Sequence, residues 1–141
     1  MIQNIWNQYD WMVGTRTIKG PNKSGKYAIL DLPECGKELV ITWSSDEGRS
    51  DTDSRQGMEY AFSKCYKKAR ALGAEPLAIT NCLNFGHPTD SMGAFSDSTK
   101  SLGVLCNKFR VPVVGGNVSL YNGYKNHSIK PTPILVMVGT R

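Results

Sequence analysis

Val113-Val114-Gly115-Gly116-Asn117-Val118-Ser119 is the stretch of this 141-residue chain best equipped for chemistry. Gly115 and Gly116 carry no side chain to hold a ligand off, so their backbone amides can meet a phosphate oxygen. Asn117 and Ser119 are two residues apart and, in extended chain, face the same way. An amide oxygen beside a hydroxyl suits Mg²⁺ or a polar substrate. The same residues also fit a plain Gly-Gly-Asn turn followed by a solvated serine, and local pattern leaves both readings open. A second run of small polar residues, Thr80-Asn81-Cys82-Leu83-Asn84-Phe85-Gly86, closes another apolar segment.

Other residues that invite a chemical reading carry less. Gly20-Pro21-Asn22-Lys23-Ser24-Gly25-Lys26 matches most of a P-loop, G-x-x-x-x-G-K, but Tyr27 stands where Ser or Thr is needed. A P-loop must also open a helix, so that amides and dipole converge on the phosphates, whereas this run precedes a strand-like segment. It reads as an exposed lysine-rich turn. Cys35, Cys65, Cys82 and Cys106 form no C-x-x-C pair, and the two histidines cannot complete a metal site with them. The cysteines are expected to be reduced and structural, and His87 and His127 to be surface loop residues, so no catalytic residue is assigned. Seventeen Lys and Arg against twelve Asp and Glu leave the chain at +5. That balance fits a handler of phosphorylated anions or of nucleic acid, but no recognition motif accompanies it and the basic helix face from Lys64 to Arg70 reads as solvated.

The elements that must position the two polar runs follow from periodicity. Residues 1–25 are polar with Trp6, Tyr9, Trp11 and Val13 as scattered anchors, an arm with at most one short strand, ahead of a single domain over 26–141. Tyr27–Leu32 and Glu38–Trp43 read as two strands joined by a turn of hairpin length. Ser44–Ser54 offers nothing to bury and is expected to be a mobile surface loop. Met58, Ala61, Phe62, Cys65, Ala69 and Leu72 recur at helical spacing, with Gly73 as C-cap. Glu75–Leu83 is a buried strand. A second helix, capped by Asp90 or Ser91, turns Phe95, Thr99, Leu102, Cys106 and Phe109 inward. Val111–Val114 is expected to be a buried strand running into the glycines, and Pro133–Gly139 the last strand after a polar loop through His127. The order is β-α-β-α-β-β with one strand in front: an α+β fold with a mixed sheet and helices on one face. A strand-helix-strand unit joins parallel strands, so both polar runs should reach the same edge of the sheet. No apolar run approaches the ~20 residues of a membrane span, and the first residues do not read as a secretory signal. A cytoplasmic location is expected.

Thr80–Gly86 together with Val113–Asn122 closely resembles phosphoribosylformylglycinamidine synthase, in the second of its two repeated halves. Gln8-Tyr9-Asp10, Val13-Gly14-Thr15, Gly73–Ala78 and Pro131-Thr132-Pro133 follow in the family's order, so the similarity spans essentially the whole chain. The resemblance implies the amino-terminal domain of a superfamily that includes aminoimidazole ribonucleotide synthetase, whose sheets pair into a barrel on dimerisation. It implies an ATP-dependent C–N ligase of purine biosynthesis that turns formylglycinamide ribonucleotide into its amidine, with Mg²⁺ and ammonia from a glutaminase partner. By motif, Gly116 and Asn81 fall against ATP, Asn117 on Mg²⁺ and Ser119 on the substrate. Trp11 replaces a histidine, Lys23–Tyr27 replace a Gly-Asp-Ala-Ala turn, and His87 replaces an asparagine, departures that bear on the turn's phosphate or metal role. The family's catalytic histidines and its glycine-rich carboxyl domain lie in other segments, so the chain alone is expected to be inactive. It should self-associate or pair with other synthase domains. The competing reading is a non-catalytic interaction module that completes a partner synthase.

Overall fold

The structure, a computed structural model, describes residues 15–20, 25–125 and 127–141. The anchors Trp6, Tyr9, Trp11 and Val13 lie outside the described residues, as do Pro21–Ser24 of the lysine-rich turn. The elements are β1 (Thr17–Lys19), β2 (Tyr27–Leu32), β3 (Lys37–Ser45), a 3-10 turn (Arg49–Asp51), α1 (Ser54–Ala71), β4 (Glu75–Asn84), α2 (Pro88–Phe109), β5 (Val113–Ser119), β6 (Gly123–Tyr124), β7 (His127–Ser128) and β8 (Thr132–Thr140). One six-stranded sheet runs β1-β2-β3-β8-β4-β5, and β6 and β7 form a separate ribbon. All its neighbouring strands are antiparallel except β4 and β5, which are parallel.

The alternation along the central strands decides which face is covered. Val40, Thr42 and Ser44 of β3, Ile79 and Leu83 of β4, and Leu135 and Met137 of β8 are buried. Ile79, Leu83, Leu135 and Met137 meet the stripe of α1, where Met58, Ala61, Phe62, Cys65 and Ala69 have no exposed surface, while Val40 packs in a second, smaller cluster with Tyr27, Ile29 and Ala74. The period-2 face of the sheet and the 3.6-period stripe of the helix thus close the larger core cluster. Phe62, Tyr66 and Phe109 stack where α2 crosses α1. Burying a side chain such as Phe62 is worth about 1.5–3 kcal/mol. On the opposite face Leu39, Ile41, Trp43, Val136 and Val138 are half-buried, with Ile41 facing Val138 and Trp43 facing Val136 across the ladder. No helix among the described residues covers that face.

Four expectations are corrected. Val111–Val114 is not a buried strand: Val111 is buried, but β5 starts at Val113 and Val114 is 65% exposed. Among the described residues the strand is the outermost of its sheet, paired only with β4, and an apolar run cannot by itself tell an edge from a centre. Gly115–Ser119 are strand residues rather than a loop, and β4 likewise extends to Asn84. The second helix is capped by His87, not Asp90 or Ser91: the His87 ring nitrogen accepts from Thr89 N, and Pro88 loses nothing at a position whose N–H has no helical partner. The polar stretch from Ser44 is built in. Asp46 is buried and accepts from the amides of Gly48 and Ser50, which fold the chain into the 3-10 turn. Its short acidic side chain supplies a turn where the composition promised only solvent.

Candidate functional site

The parallel pairing of β4 with β5 places Asn81 opposite Gly116, Cys82 opposite Asn117 and Asn84 opposite Ser119. Both polar runs therefore reach one rim, where β8 also begins, since Thr132 and Pro133 pair with Asn84 and Leu83. Asn81, Gly116, Asn117 and Ser119 reach one rim as expected, on strand ends rather than on loops, but strand alternation sets the Asn81 side chain with Gly116 on the helix-covered face and the Asn117 and Ser119 side chains on the other. Gly116 and Asn117 are exposed and Asn81 is half-buried. As the edge strand, β5 turns every second backbone amide and carbonyl away from its neighbour, toward whatever approaches the rim.

The two glycines differ. A side chain at Gly115 would meet nothing within 4 Å, whereas one at Gly116 would lie 2.6 Å from the Asn81 carbonyl oxygen and against the Asn81 side-chain amide. Close approach at Gly116 is thus taken by Asn81, whose side-chain amide lies over the glycine.

Beyond Ser119 a single side chain ties the strand ends together. Asn122 donates through Nδ2 to the carbonyls of Phe85 and Ser119, at 3.0 Å each, and accepts the Ser119 hydroxyl at 3.0 Å. Backbone bonds from Phe85 N to Ser119 O, Tyr121 N to Gly86 O and Asn122 N to Phe85 O complete the clamp. The Ser119 hydroxyl hydrogen is therefore committed inward, and its free lone pair is what a ligand meets. Asn122 has a role that sequence reasoning missed; its signal was only its place at the end of the Val113–Asn122 stretch.

A cavity of about 370 Å³ adjoins this clamp, lined among others by His87, Asp90, Tyr121, Lys125 and His127. Both histidines are exposed as expected, but the ribbon of β6 and β7 brings them to one concavity. Gly86 makes that possible, since a side chain there would collide with Ser128, whose hydroxyl accepts from His87 N. His87 also packs edge-on against Tyr121 with centroids 5.0 Å apart.

Asn81, Asn117 and Ser119 offer only neutral oxygens, and no group of three His, Cys, Asp or Glu among the described residues could hold a metal. Mg²⁺ ordinarily relies on one or two carboxylates together with substrate phosphates. These donors do not fit a resident Mg²⁺; Asn117 is suited to be one neutral ligand of a cation that arrives with phosphates. The cysteines are free, and burial pushes the Cys65 thiol up to about 12. No helix of the described residues is long and apolar enough to cross a membrane.

Residues 25–141 match the family described as AIR synthase related protein, N-terminal domain. The chain is 39% identical over 137 residues to the phosphoribosylformylglycinamidine synthase subunit PurL of Parvibaculum lavamentivorans, an alignment covering 96% of this chain and 18% of that protein. It superposes on Thermotoga maritima PurL complexed with ATP at a TM-score of 0.81 and 32% identity, covering 99% of this chain and 23% of that one. The fit to T. maritima PurL complexed with FGAR has the same TM-score, at 34% identity, covering 97% and 22%. The chain thus spans about a fifth of the length of the relatives it matches.

Proposed function

This chain belongs to the AIR synthase related family, as its N-terminal domain, and on that premise we propose that it is an ATP- and substrate-binding domain of a phosphoribosylformylglycinamidine synthase. The observation that carries the reading is the β4–β5 register, which sets Asn81 beside Gly116 and Ser119 beside Asn84 on one rim. The ATP and FGAR complexes of T. maritima PurL, whose fold matches over nearly the whole chain, support the two ligands.

In this reading Asn81 and the edge amides around Gly116 contact the nucleotide. Asn117 would give one oxygen to Mg²⁺ brought in by its phosphates, and the cation would supply charge neutralisation there. Ser119, its hydrogen held by Asn122, accepts a hydrogen bond from an O–H or N–H of formylglycinamide ribonucleotide. The reaction moves the γ-phosphoryl group of ATP onto the formamide oxygen. Ammonia then adds to the activated carbon, and the C–O bond breaks to release phosphate and leave the amidine. The domain contributes binding and orientation, worth rate only when the reacting groups are held in line. Its general acids and bases, its ammonia from a glutaminase and the remaining wall of the pocket come from other parts of the synthase. The half-buried apolar face of β3, β8 and β4 is where a second sheet would pair to form a barrel, in a cytoplasmic homo-oligomer or against other synthase domains, with 26–141 acting as one domain behind the arm of 1–25.

The second reading, a non-catalytic module that completes a partner synthase, is favoured by one feature: Gly116 is overlaid by Asn81 and Ser119 is tied to Asn122, so part of the polar rim is satisfied internally. Titration calorimetry of the chain with ATP and Mg²⁺ separates the two. Binding that weakens at least tenfold in Asn117→Ala, with loss of activity for Ser119→Ala in a reconstituted synthase, supports the ligand-binding domain. Absence of binding, with neither substitution affecting the reconstituted enzyme, leaves the module.

A further inference from the structure

The face of the sheet that no described helix covers is apolar over much of its width and polar at one end. Ile41, Trp43, Val136 and Val138 make the apolar part. At the ends of β4 and β5, strand alternation brings Cys82, Asn84, Asn117 and Ser119 to that face instead. Asn84 is the member of this group least explained by the fold. It pairs with Ser119 on β5 and with Thr132 on β8, so it stands between two strands.

The Asn84 amide is engaged at its nitrogen alone. Nδ2 donates to the Cys82 Sγ and to the Thr132 carbonyl, at 3.4 Å each, and both of its hydrogens are thereby spent. The Thr132 carbonyl also decides which end of the amide is nitrogen, since an oxygen there would meet another acceptor. Oδ1 accepts from no group among the described residues. Asn84 is half-buried, so this oxygen is partly withdrawn from water with no partner in exchange, a deficit that a ligand donor would relieve. Ser119 is limited in the same way. Its hydrogen goes to Asn122 Oδ1 at 3.0 Å, which leaves only lone pairs for a ligand. Asn84 and Ser119 thus present two acceptors and no donor, one strand spacing of about 4.8 Å apart on one face.

That pattern selects its ligand. An ionised phosphate brings only acceptors, and a single O–H or N–H satisfies one oxygen and leaves the other unpaired. Two hydroxyls on adjacent carbons supply two donors at that reach. On the reading of the rim as a substrate site, we infer that Asn84 is a further substrate-positioning residue, which together with Ser119 holds the vicinal ribose hydroxyls of formylglycinamide ribonucleotide. Asn81, on the opposite face with Gly116, takes no part in this contact.

Steady-state kinetics of the reconstituted synthase, with the substrate and its 2′-deoxy and 3′-deoxy forms, tests the assignment. A site built to bond a hydroxyl rejects the analogue that lacks it, so KM for each deoxy form should exceed that for the ribonucleotide at least tenfold. Asn84→Ala should raise KM for the ribonucleotide about tenfold, with kcat and the KM for ATP within about twofold of the parent. The same substitution should change KM less than twofold for one of the deoxy forms, in which the contact is already lost. Asn84→Asp, which keeps an acceptor and loses the donor to Thr132, should retain the preference for the ribonucleotide. Circular dichroism confirms that both variants remain folded. If Asn84 serves only to tie β4 to β8, Asn84→Asp fails as Asn84→Ala does and all three substrates suffer alike, which overturns the assignment. A parent indifferent to the deoxy forms, or a raised KM for ATP in Asn84→Ala, overturns it too. Activity that is lost in Ser119→Ala while Asn84→Ala keeps the parent's selectivity sinks this inference alone, whereas a synthase indifferent to both substitutions removes the substrate reading of the rim along with it.

Discussion

Gly116 and Asn122 are the residues on which the rim depends most directly. A methyl at Gly116 cannot be absorbed by a side-chain rotation, because the Asn81 backbone carbonyl stands 2.6 Å away. Gly116→Ala is therefore expected to cost about 1–3 kcal/mol, the usual range for overpacking, whereas Gly115→Ala, facing open space, should stay within about 0.5 kcal/mol of the parent. Urea denaturation measures both, and equal values for the two would contradict the packing described here. Asn122→Ala removes three side-chain hydrogen bonds, although the Phe85 and Ser119 carbonyls each keep a backbone donor, a loss of about 1–3 kcal/mol. Cys65 makes a different point. Its thiol is buried, raised to about 12 by desolvation, and set against the Leu135 carbonyl. A thiol reagent at neutral pH should modify exposed Cys35 at once and Cys65 only as the chain unfolds; rapid labelling of Cys65 in the folded protein would place it elsewhere.

At the scale of elements, the start of α1 and the turn before it carry an acid-sensitive pair. Backbone amides of Gln56 and Arg55 hold the Asp53 carboxyl below its ordinary range, and the Tyr60 hydroxyl and Lys26 hold Glu47 at about 2. Both folded values lie below the unfolded ones. Their contribution is thus complete above the ordinary carboxylate range and is lost as pH falls, for Glu47 between about 4.5 and about 2. The melting temperature should decline over that window. Asp53→Asn, which still caps the helix but does not titrate, should flatten part of the decline; an acid limb identical to the parent's would show that Asp53 plays no part. The same elements show what periodicity can and cannot give. The α1 stripe from Met58 to Ala69 is buried residue for residue as its spacing predicts, because a helix between solvent and sheet must be apolar on one side only. The cap of α2 was missed by three or four residues because histidine is an uncommon cap and its role requires the ring nitrogen to reach Thr89 N.

For the whole molecule, the decisive feature is a sheet covered on one face and half-buried on the other. Ile41, Val136 and Val138 lie side by side there, in the register that joins β3, β8 and β4. Contiguous apolar surface of this kind marks an association surface, and the sheet-to-sheet barrel proposed above would use it. Val138→Lys or Ile41→Lys should convert an associating chain to monomer in light scattering while leaving the circular dichroism intact. A parent that is already monomeric at high concentration would remove the basis for the barrel.

Residue types and spacing determined the two helices, the hairpin of β2 and β3, and the strands on either side of α2. They also placed Asn81, Gly116, Asn117 and Ser119 on a common rim, because each of these rests on local periodicity or on the rule that a strand-helix-strand unit runs parallel. Only the tertiary structure decided that β8 inserts between β3 and β4, that β5 is an edge, that Asn81 fills the space over Gly116, and that Asn122 fixes the hydroxyl of Ser119. Those are contacts between segments far apart in the chain, set by pairing register and by a few tenths of a nanometre of available space, and no local pattern of residues encodes either.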